Sequence, residues 1–347
     1  MMFSVALIGA GRVGGIRAGV IHNSRDALLK VVADVDTNRA AEVGRSAGAA
    51  AVPDWRLAVM DPGIDLVVIS TPTKFHAEIA VAALQAGKHV LCEKPLGRTV
   101  DEAEQIVQAA KRARRVLKTG FNYRHMAHVR KAKELIAADK LGRLYFLRCR
   151  YGHGGRPGYE KVWCTNADLS GGGVLLEQGI HTLDLVRYLL GEPSRVLCHV
   201  ERFFWNFPTV EDNCFCLLQT LAGQIAQLHF SWTQWVNVFE IEIFGRDGYL
   251  RLDGRDGHYG PQRLILGKRN PQHSRPQEQI SDFGNSDDSW QLEWGEFLSA
   301  IRARRTPEAN GLDGLRAQQL VEAAYQSAAR QAWVDVPSFA TSAVRER

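Results

Sequence analysis

Lys94 and His181 are the residues of this chain whose types and surroundings best suit the movement of a proton. Lys94 lies in Glu93-Lys94-Pro95, directly after the apolar run His89 to Cys92. A lysine at the carboxyl end of a buried strand offers three N–H donors and a positive charge. Those suit it to polarise a carbonyl or steady an alkoxide while a hydride moves. Pro95 stiffens the backbone behind it. The plainer reading of Lys94 is a solvated lysine that follows a strand. His181 lies in the stretch from Gly171 to Asp184, which reads as a flexible glycine entry to a helix. Glu177, His181 and Asp184 are spaced i, i+4 and i+7 and so fall on one face of an α-helix. An imidazole accepts a proton near neutral pH, and a carboxylate one turn away orients the ring or raises its basicity. The plainer reading here is a satisfied helix histidine, with Asp184 paired to Arg187. A nucleotide-binding turn in the same chain favours the chemical reading of both residues.

That turn is Gly9-Ala10-Gly11-Arg12-Val13-Gly14, which follows the apolar run Phe3 to Ile8 and opens a helical pattern. In this context Gly9 makes the tight turn, Gly11 lets backbone approach a pyrophosphate, and Gly14 lets the helix pack on the sheet. The helix N-terminus, with the backbone of Arg12 and Val13, offers N–H groups to the phosphates. Asp34 ends the next strand, 20 residues beyond Gly14. An acid there accepts hydrogen bonds from ribose hydroxyls and repels a 2′-phosphate, which favours NAD over NADP. Its alternative role is to cap the turn into the following helix. Arg39, the nearby cation that could meet a phosphate, belongs inside that helix. Thr71-Pro72-Thr73 follows a further buried strand, at the edge where such sheets bind ligands, and is read with Glu93 as lining the nicotinamide half; His76 could reach the same crevice or, at a helix start, be only a surface residue.

These residues need a scaffold. Strand signals at Phe3 to Ile8, Leu29 to Asp34, Asp65 to Ser70, His89 to Cys92 and Val116 to Phe121 alternate with helical patterns, the arrangement of a parallel, doubly wound sheet. Thr37-Asn38 is read as the cap of the helix that runs through Gly44. After about residue 122 the pattern changes to strands at Leu144 to Tyr151, Arg195 to Phe203, Asn213 to Thr220, Gln224 to Trp232 and Phe239 to Phe244. Residues 226–232 alternate strictly, so one face of that strand is buried. This part reads as an antiparallel sheet with helices on one side, with loops over residues 253–288 and helices from Trp290 to Arg302 and from Leu312 to Ala332. The expected domains are therefore 1–122, binding the dinucleotide, and 123–347, binding substrate and mediating oligomerisation. The segment Tyr151 to Lys161 leaves the second domain's first strand. Arg156 there could take a phosphate or carboxylate, Trp163 could stack on a sugar face, and Arg124 is a third candidate for substrate binding. An ordinary Gly/Pro loop with solvated charges is the alternative.

Bulk properties narrow the classes. Among 347 residues, 43 basic against 38 acidic side chains give a net charge of +5, spread along the chain, and this points away from nucleic acid. The densest basic run, Lys111 to Arg115, closes a helical segment, where cations favour the negative end of the helix dipole. The six cysteines show no CxxC pair and no zinc or disulfide spacing, so no metal is expected; Cys214 and Cys216 would share one face of a strand. No apolar stretch approaches the roughly 20 residues of a membrane span, and no charged leader with an apolar core opens the sequence. A cytoplasmic protein without a membrane partner is the expectation.

The GAGRVG turn, the Thr-Pro-Thr segment, Glu93-Lys94-Pro95 and the stretch GGGVLLEQGIHTLDLVRYLLG, in this order, resemble the glucose–fructose oxidoreductase/inositol dehydrogenase (Gfo/Idh/MocA) family over nearly the whole chain. The resemblance implies a Rossmann domain followed by an α/β domain with a large open, mainly antiparallel sheet that often mediates dimers or tetramers. It implies that Lys94 contacts the reacting hydroxyl, that His181 is the general acid/base, and that Asp184 is the second acid, holding a substrate hydroxyl. Glu177 stands where many members carry aspartate, a departure that lengthens the reach of the carboxylate. The implied reaction is NAD-dependent oxidation of a secondary alcohol of a sugar, cyclitol or nucleotide sugar. His181 would take the proton and hydride would pass to the nicotinamide. The family also implies three alternatives: an NAD-using glycosidase, a sugar-pathway regulator that binds dinucleotide without turnover, and a reductase of a non-sugar carbonyl or imine.

Overall fold

The structure, a computed structural model, describes residues 2–337 apart from 273 and 275. Two compact units emerge. The first takes the chain up to Asn122 together with Asp168–Gly171 and Trp290–Gln318, and the second takes Tyr123–Ala167, Gly172–Ser289 and the chain from Gln319.

The first unit is built on six strands: β1 (Phe3–Ile8), β2 (Ala27–Ala33), β3 (Ala50–Val52), β4 (Leu66–Ile69), β5 (His89–Glu93) and β6 (Leu117–Gly120). Their order is β3-β2-β1-β4-β5-β6, with every pairing parallel. The strands read as continuous apolar runs because helices cover both faces of the sheet. On one face Val5, Leu7 and Leu29 join a cluster with Trp294, Phe297 and Leu298. On the other, Ile8, Ile69 and Val90 pack with Ile79, Leu84 and Ile106. The helix Ser289–Ala303 thus belongs to this unit, although its place in the chain assigned it to the second domain. Its apolar face completes a core that the first 122 residues leave open. β3 was not legible because it is three residues long, two of them exposed alanines. Asp36, not Thr37 or Asn38, caps the helix Thr37–Gly44, its carboxylate accepting from Arg39 N at 3.1 Å.

The second unit carries a nine-stranded mixed sheet. Its strands are β7 (Leu144–Gly152), β8 (Pro193–Glu201), β9 (Asn213–Thr220), β10 (Ile225–Ser231), β11 (Val238–Gly245), β12 (Gly248–Asp253), β13 (Arg263–Lys268), β14 (Gln277–Asp282) and β15 (Val334–Asp335). They run in the order β14-β13-β12-β11-β7-β10-β9-β8-β15. All pairs are antiparallel except β7 with β10, which register Leu147 to Ala226 and Cys149 to Leu228. Two strands, β13 and β14, occupy the interval read as loops. β14 is an exposed polar edge strand with no core face, so it lacks the alternation that marks a strand. In β10, Ala226, Leu228 and Phe230 point inward while Gln227 and His229 stand on the other face. The helices Ala127–Ala137 and Ile180–Leu189 lie over the inner face, and the outer face leaves Phe215 and Leu217 exposed. Among the described residues no helix is long and apolar enough to cross a membrane.

Candidate active site

In the first unit the glycine turn fits its expected geometry. Gly9 has φ +95°, and a Cβ there would stand 2.7 Å from the Ser70 carbonyl group. A Cβ on Gly14 would lie 2.0 Å from the Gly9 carbonyl oxygen, so the helix Arg12–His22 can start only this close to the turn with glycine at that position. A Cβ on Gly11 would meet nothing within 4 Å, so that side of the turn faces open space. No side chain caps this helix, leaving the N–H groups at its start, with Arg12 and Val13, available to an anion. Asp34 lies just beyond β2 and braces the turn: its Oδ2 accepts from Ala10 N at 2.7 Å and its Oδ1 from Asp36 N at 2.9 Å. Each oxygen keeps a further lone pair for a ligand hydroxyl. Arg39 is exposed and turned to Asp36 at 3.5 Å.

At the end of β4 the hydroxyls of Ser70, Thr71 and Thr73 are buried without a protein partner. A buried hydroxyl without a partner is costly, and a bound polar molecule would satisfy it. Together with the open side of Gly11 and the uncapped helix, these groups fit a dinucleotide. Two neighbours read as cofactor contacts have other tasks. His76 is buried, with Nδ1 2.8 Å from Pro95 O and Nε2 3.0 Å from Thr71 O, so its ring ties two strand-end turns together. Burial holds its pKa below the ordinary value despite those carbonyls. Glu93 is also buried, and its Oε1 accepts from Arg17 Nε at 2.8 Å and Nη2 at 2.6 Å. Arg17 Nη1 stands 2.6 Å from Glu293 Oε2, which makes a buried acid–base–acid triad across the sheet edge. Burial opposes the charge on Arg17, but Glu293 and Glu93 outweigh it and raise its pKa. Lys94 follows Glu93 at the carboxyl end of β5, half-buried, and its peptide bond to Pro95 is cis.

In the second unit the helix that carries His181 is not simple. Leu175–Gly179 forms a π-helical turn that passes into the α-helix Ile180–Leu189. Such wider turns recur at functional sites. Glu177 lies in this turn and His181 beyond it, so the two do not share a face by plain α-helical spacing. The charge of Glu177 reaches His153, Tyr159 and Tyr259. Burial keeps the pKa of His153 below its usual value even though Glu177 pulls it upward. The glycine entry is packed, not flexible. A Cβ on Gly172 would lie 2.3 Å from Tyr325 Oη, and one on Gly173 would lie 2.3 Å from Glu211 O. Glu211 anchors this entry: its carboxylate accepts from Gly173 N at 3.2 Å, Leu175 N at 2.9 Å and Tyr325 Oη at 3.0 Å. Burial pushes the Glu211 carboxyl up to about 7 against those hydrogen bonds.

The imidazole of His181 is buried and stacks on Tyr123, with ring centroids 3.9 Å apart and planes 7° apart. Tyr123 Oη lies 2.5 Å from Tyr151 Oη and accepts from Arg255 Nη1 at 2.5 Å. Arg255 in turn lies over the Tyr259 ring at 4.4 Å. Burial raises the pKa of both Tyr151 and Tyr259, so these hydroxyls remain neutral donors and acceptors. Sequence reading missed Tyr123, Arg255, Tyr259 and Glu211; only the adjacency of Tyr123 to Arg124 hinted at the first. Asp184 and Arg124, both read as substrate contacts, bind each other: Arg124 Nε and Nη2 reach the Asp184 carboxylate at 2.7 and 2.5 Å. Arg187 adds a contact to Asp184 at 3.6 Å. Asp184 is 1% exposed, so this pair holds the helix to the segment around Tyr123 and does not present a carboxylate to solvent. Arg156 is exposed in the loop after β7, and Trp163, 38% exposed, stands in the short 3-10 turn Trp163–Thr165.

Comparison with known proteins agrees with this fold. Residues 3–121 match the model of the oxidoreductase family with an NAD-binding Rossmann fold, and residues 129–251 match the GFO/IDH/MocA C-terminal domain. The chain is 31% identical to myo-inositol 2-dehydrogenase of Thermotoga maritima, over 93% of this chain and 95% of that protein. It is 28% identical to levoglucosan dehydrogenase of Pseudarthrobacter phenanthrenivorans, over 90% of each. A solved levoglucosan dehydrogenase in complex with NADH and levoglucosan superposes with a TM-score of 0.89 at 27% identity, covering 97% of this chain and all of the other. With a glycine turn built for a dinucleotide in one unit and His181 on a π-to-α helix in the other, the chain belongs to the Gfo/Idh/MocA family of NAD-binding oxidoreductases.

Proposed function

We propose that this enzyme oxidises one secondary alcohol of a sugar, cyclitol or nucleotide sugar with NAD, or reduces the matching ketone in reverse. The observation that carries the reading is His181, a buried imidazole clamped flat against Tyr123 at the head of its helix, in a chain that also holds an open dinucleotide turn. The relatives named above act on polyhydroxylated rings, which supports the substrate class. When bound, NAD supplies the two-electron acceptor. The residues of the chain supply position and charge. Gly11, the start of the helix at Arg12, Asp34 and the hydroxyls of Ser70, Thr71 and Thr73 hold the dinucleotide. The carboxylate of Asp34 favours the free ribose hydroxyls of NAD over the phosphate of NADP. His181 accepts the hydroxyl proton, and Lys94 steadies the oxygen that loses it. Glu177, His153 and Tyr259 form a polar group suited to ring hydroxyls, with Arg156 and Trp163 in the adjoining loop. The open sheet face bearing Phe215 and Leu217 is suited to pair with a second copy, as a homodimer or a homotetramer.

The test is NADH formation across a panel of inositols, levoglucosan, free sugars, glucosides and nucleotide sugars. Turnover of a polyhydroxylated ring with NAD, faster than with NADP, is the expected result. Tight NAD binding with no turnover of any panel member would overturn the reading.

A further inference from the structure

Three of the six cysteines, Cys198 and the pair Cys214 and Cys216, meet inside the second unit although the sequence has no CxxC pair. Cys198 of β8 stands opposite Cys216 of β9, and Cys214 lies two residues along β9 on the same side. The Sγ atoms are 3.5 Å apart for Cys198 and Cys214, 3.4 Å for Cys214 and Cys216, and 3.2 Å for Cys216 and Cys198. All three side chains are buried, and none takes part in the site described above. The backbone N–H of Cys198 donates to Ser327 Oγ at 2.9 Å, which fixes its strand beneath the last helix. A triangle of this size puts its centre about 2 Å from each sulphur, and a slight widening gives the ~2.3 Å of a metal–thiolate bond.

We propose that Cys198, Cys214 and Cys216 form a three-coordinate sulphur site for a soft monovalent cation, Cu(I). Sulphur donors alone select soft ions. Among the described residues no histidine or carboxylate joins the cluster, so the four-ligand set of a structural zinc site is incomplete. Charge decides the ion further. In a buried site every uncompensated charge is costly. One thiolate with one monovalent cation is neutral, whereas a divalent ion needs two. The sulphurs are close enough to share one charge: Cys198 Sγ has Cys214 Sγ at 3.5 Å and Cys216 Sγ at 3.2 Å. A neighbour that ionises on binding releases its proton to water.

The experiment is an equilibrium competition, without oxygen, between the reduced, NAD-loaded full chain and a coloured Cu(I) chelator, with Cu(I) added as its acetonitrile complex. About one Cu(I) per chain should be withheld from the chelator. Cys198→Ala and Cys216→Ala should each release it, while replacement of Cys92, Cys149 and Cys164 by alanine together should leave it bound. Melting curves with and without Cu(I) provide a second readout if an alanine variant folds poorly, because bound ion should raise the melting temperature of wild type alone. No Cu(I) withheld by folded wild type, or equal retention by Cys198→Ala, overturns the site. Tighter retention of Zn(II) than of Cu(I) overturns the choice of ion. Neither result bears on sugar oxidation, which involves other residues.

Discussion

At the scale of single residues, the groups proposed to do chemistry were the easiest to read and their supports were the hardest. Lys94, His181, the glycine turn and Asp34 stand out because few residue types suit their tasks and their spacing is local. Tyr123 meets His181, and Arg255 meets Tyr123 and Tyr259, only through the fold, and no local pattern announces that. The partner of Asp184 was hidden for the same reason: the sequence offered it a substrate or Arg187, yet the chain also folds it onto Arg124. His181→Ala and Lys94→Ala should each lower kcat by about 10²–10⁴-fold with little change in NAD affinity or melting temperature. Steady-state kinetics and NAD-binding calorimetry check both parts. Tyr123→Ala removes the ring that holds the imidazole flat. It should cut kcat while leaving NAD affinity intact, and unchanged turnover would show that the stacking does not position His181. Asp34→Ala should weaken NAD relative to NADP, and because Asp34 also braces Ala10 N it should cost some stability as well. An unaltered ratio of the two cofactors would remove the ribose assignment.

At the scale of elements, glycines and one buried acid shape the entry to the helix that carries His181. The sequence reads Gly171-Gly172-Gly173 as flexible because glycine permits motion. The structure shows that at Gly172 and Gly173 any side chain would strike Tyr325 or Glu211. Gly173→Ala should destabilise the protein by about 1–3 kcal/mol through overpacking against backbone that cannot yield. Glu211 carries a pH signature. Its folded pKa is about 7 against an ordinary 4.5, so the native state binds the proton more tightly than the unfolded chain. Its contribution is therefore fully present below pH 4.5 and is lost as pH rises through 7. That shift corresponds to roughly 3 kcal/mol. Glu211→Gln cannot ionise, so its unfolding free energy should fall less steeply between pH 5 and 7 than that of wild type. Parallel profiles from urea melts across that window would contradict the assignment. The π-helical turn was not legible for a related reason. Periodicity separates 3.6 from 2.0 residues per turn but does not register one extra residue in a single turn.

At the scale of the whole molecule, the alternating strands and helices revealed a parallel sheet and the later run of strands revealed a second sheet. They did not reveal where the first unit ends. The helix Ser289–Ala303 returns to the first unit, where Trp294 and Phe297 fill its core and Glu293 meets Arg17. Sequence order hides this return, because nothing in an amphipathic helix says which core it covers. A fragment of residues 1–122 should accordingly fail to fold cooperatively, as judged by circular dichroism, because it exposes that apolar face and leaves Arg17 without Glu293. A cooperative melt with wild-type NAD binding from the fragment would contradict this. The polar edge strand β14 escaped detection on the same principle, since a strand without a buried face leaves no apolar period to read.

The central claim is hydride transfer from a ring carbon to NAD. It is tested most directly by oxidising the best panel substrate, deuterated at its reacting carbon, and weighing the NADH formed. Each NADH should carry one deuterium, and His181→Ala should form no such product in the same period. NADH formed without the label, or no NAD reduced by any sugar or cyclitol despite tight binding, would contradict it.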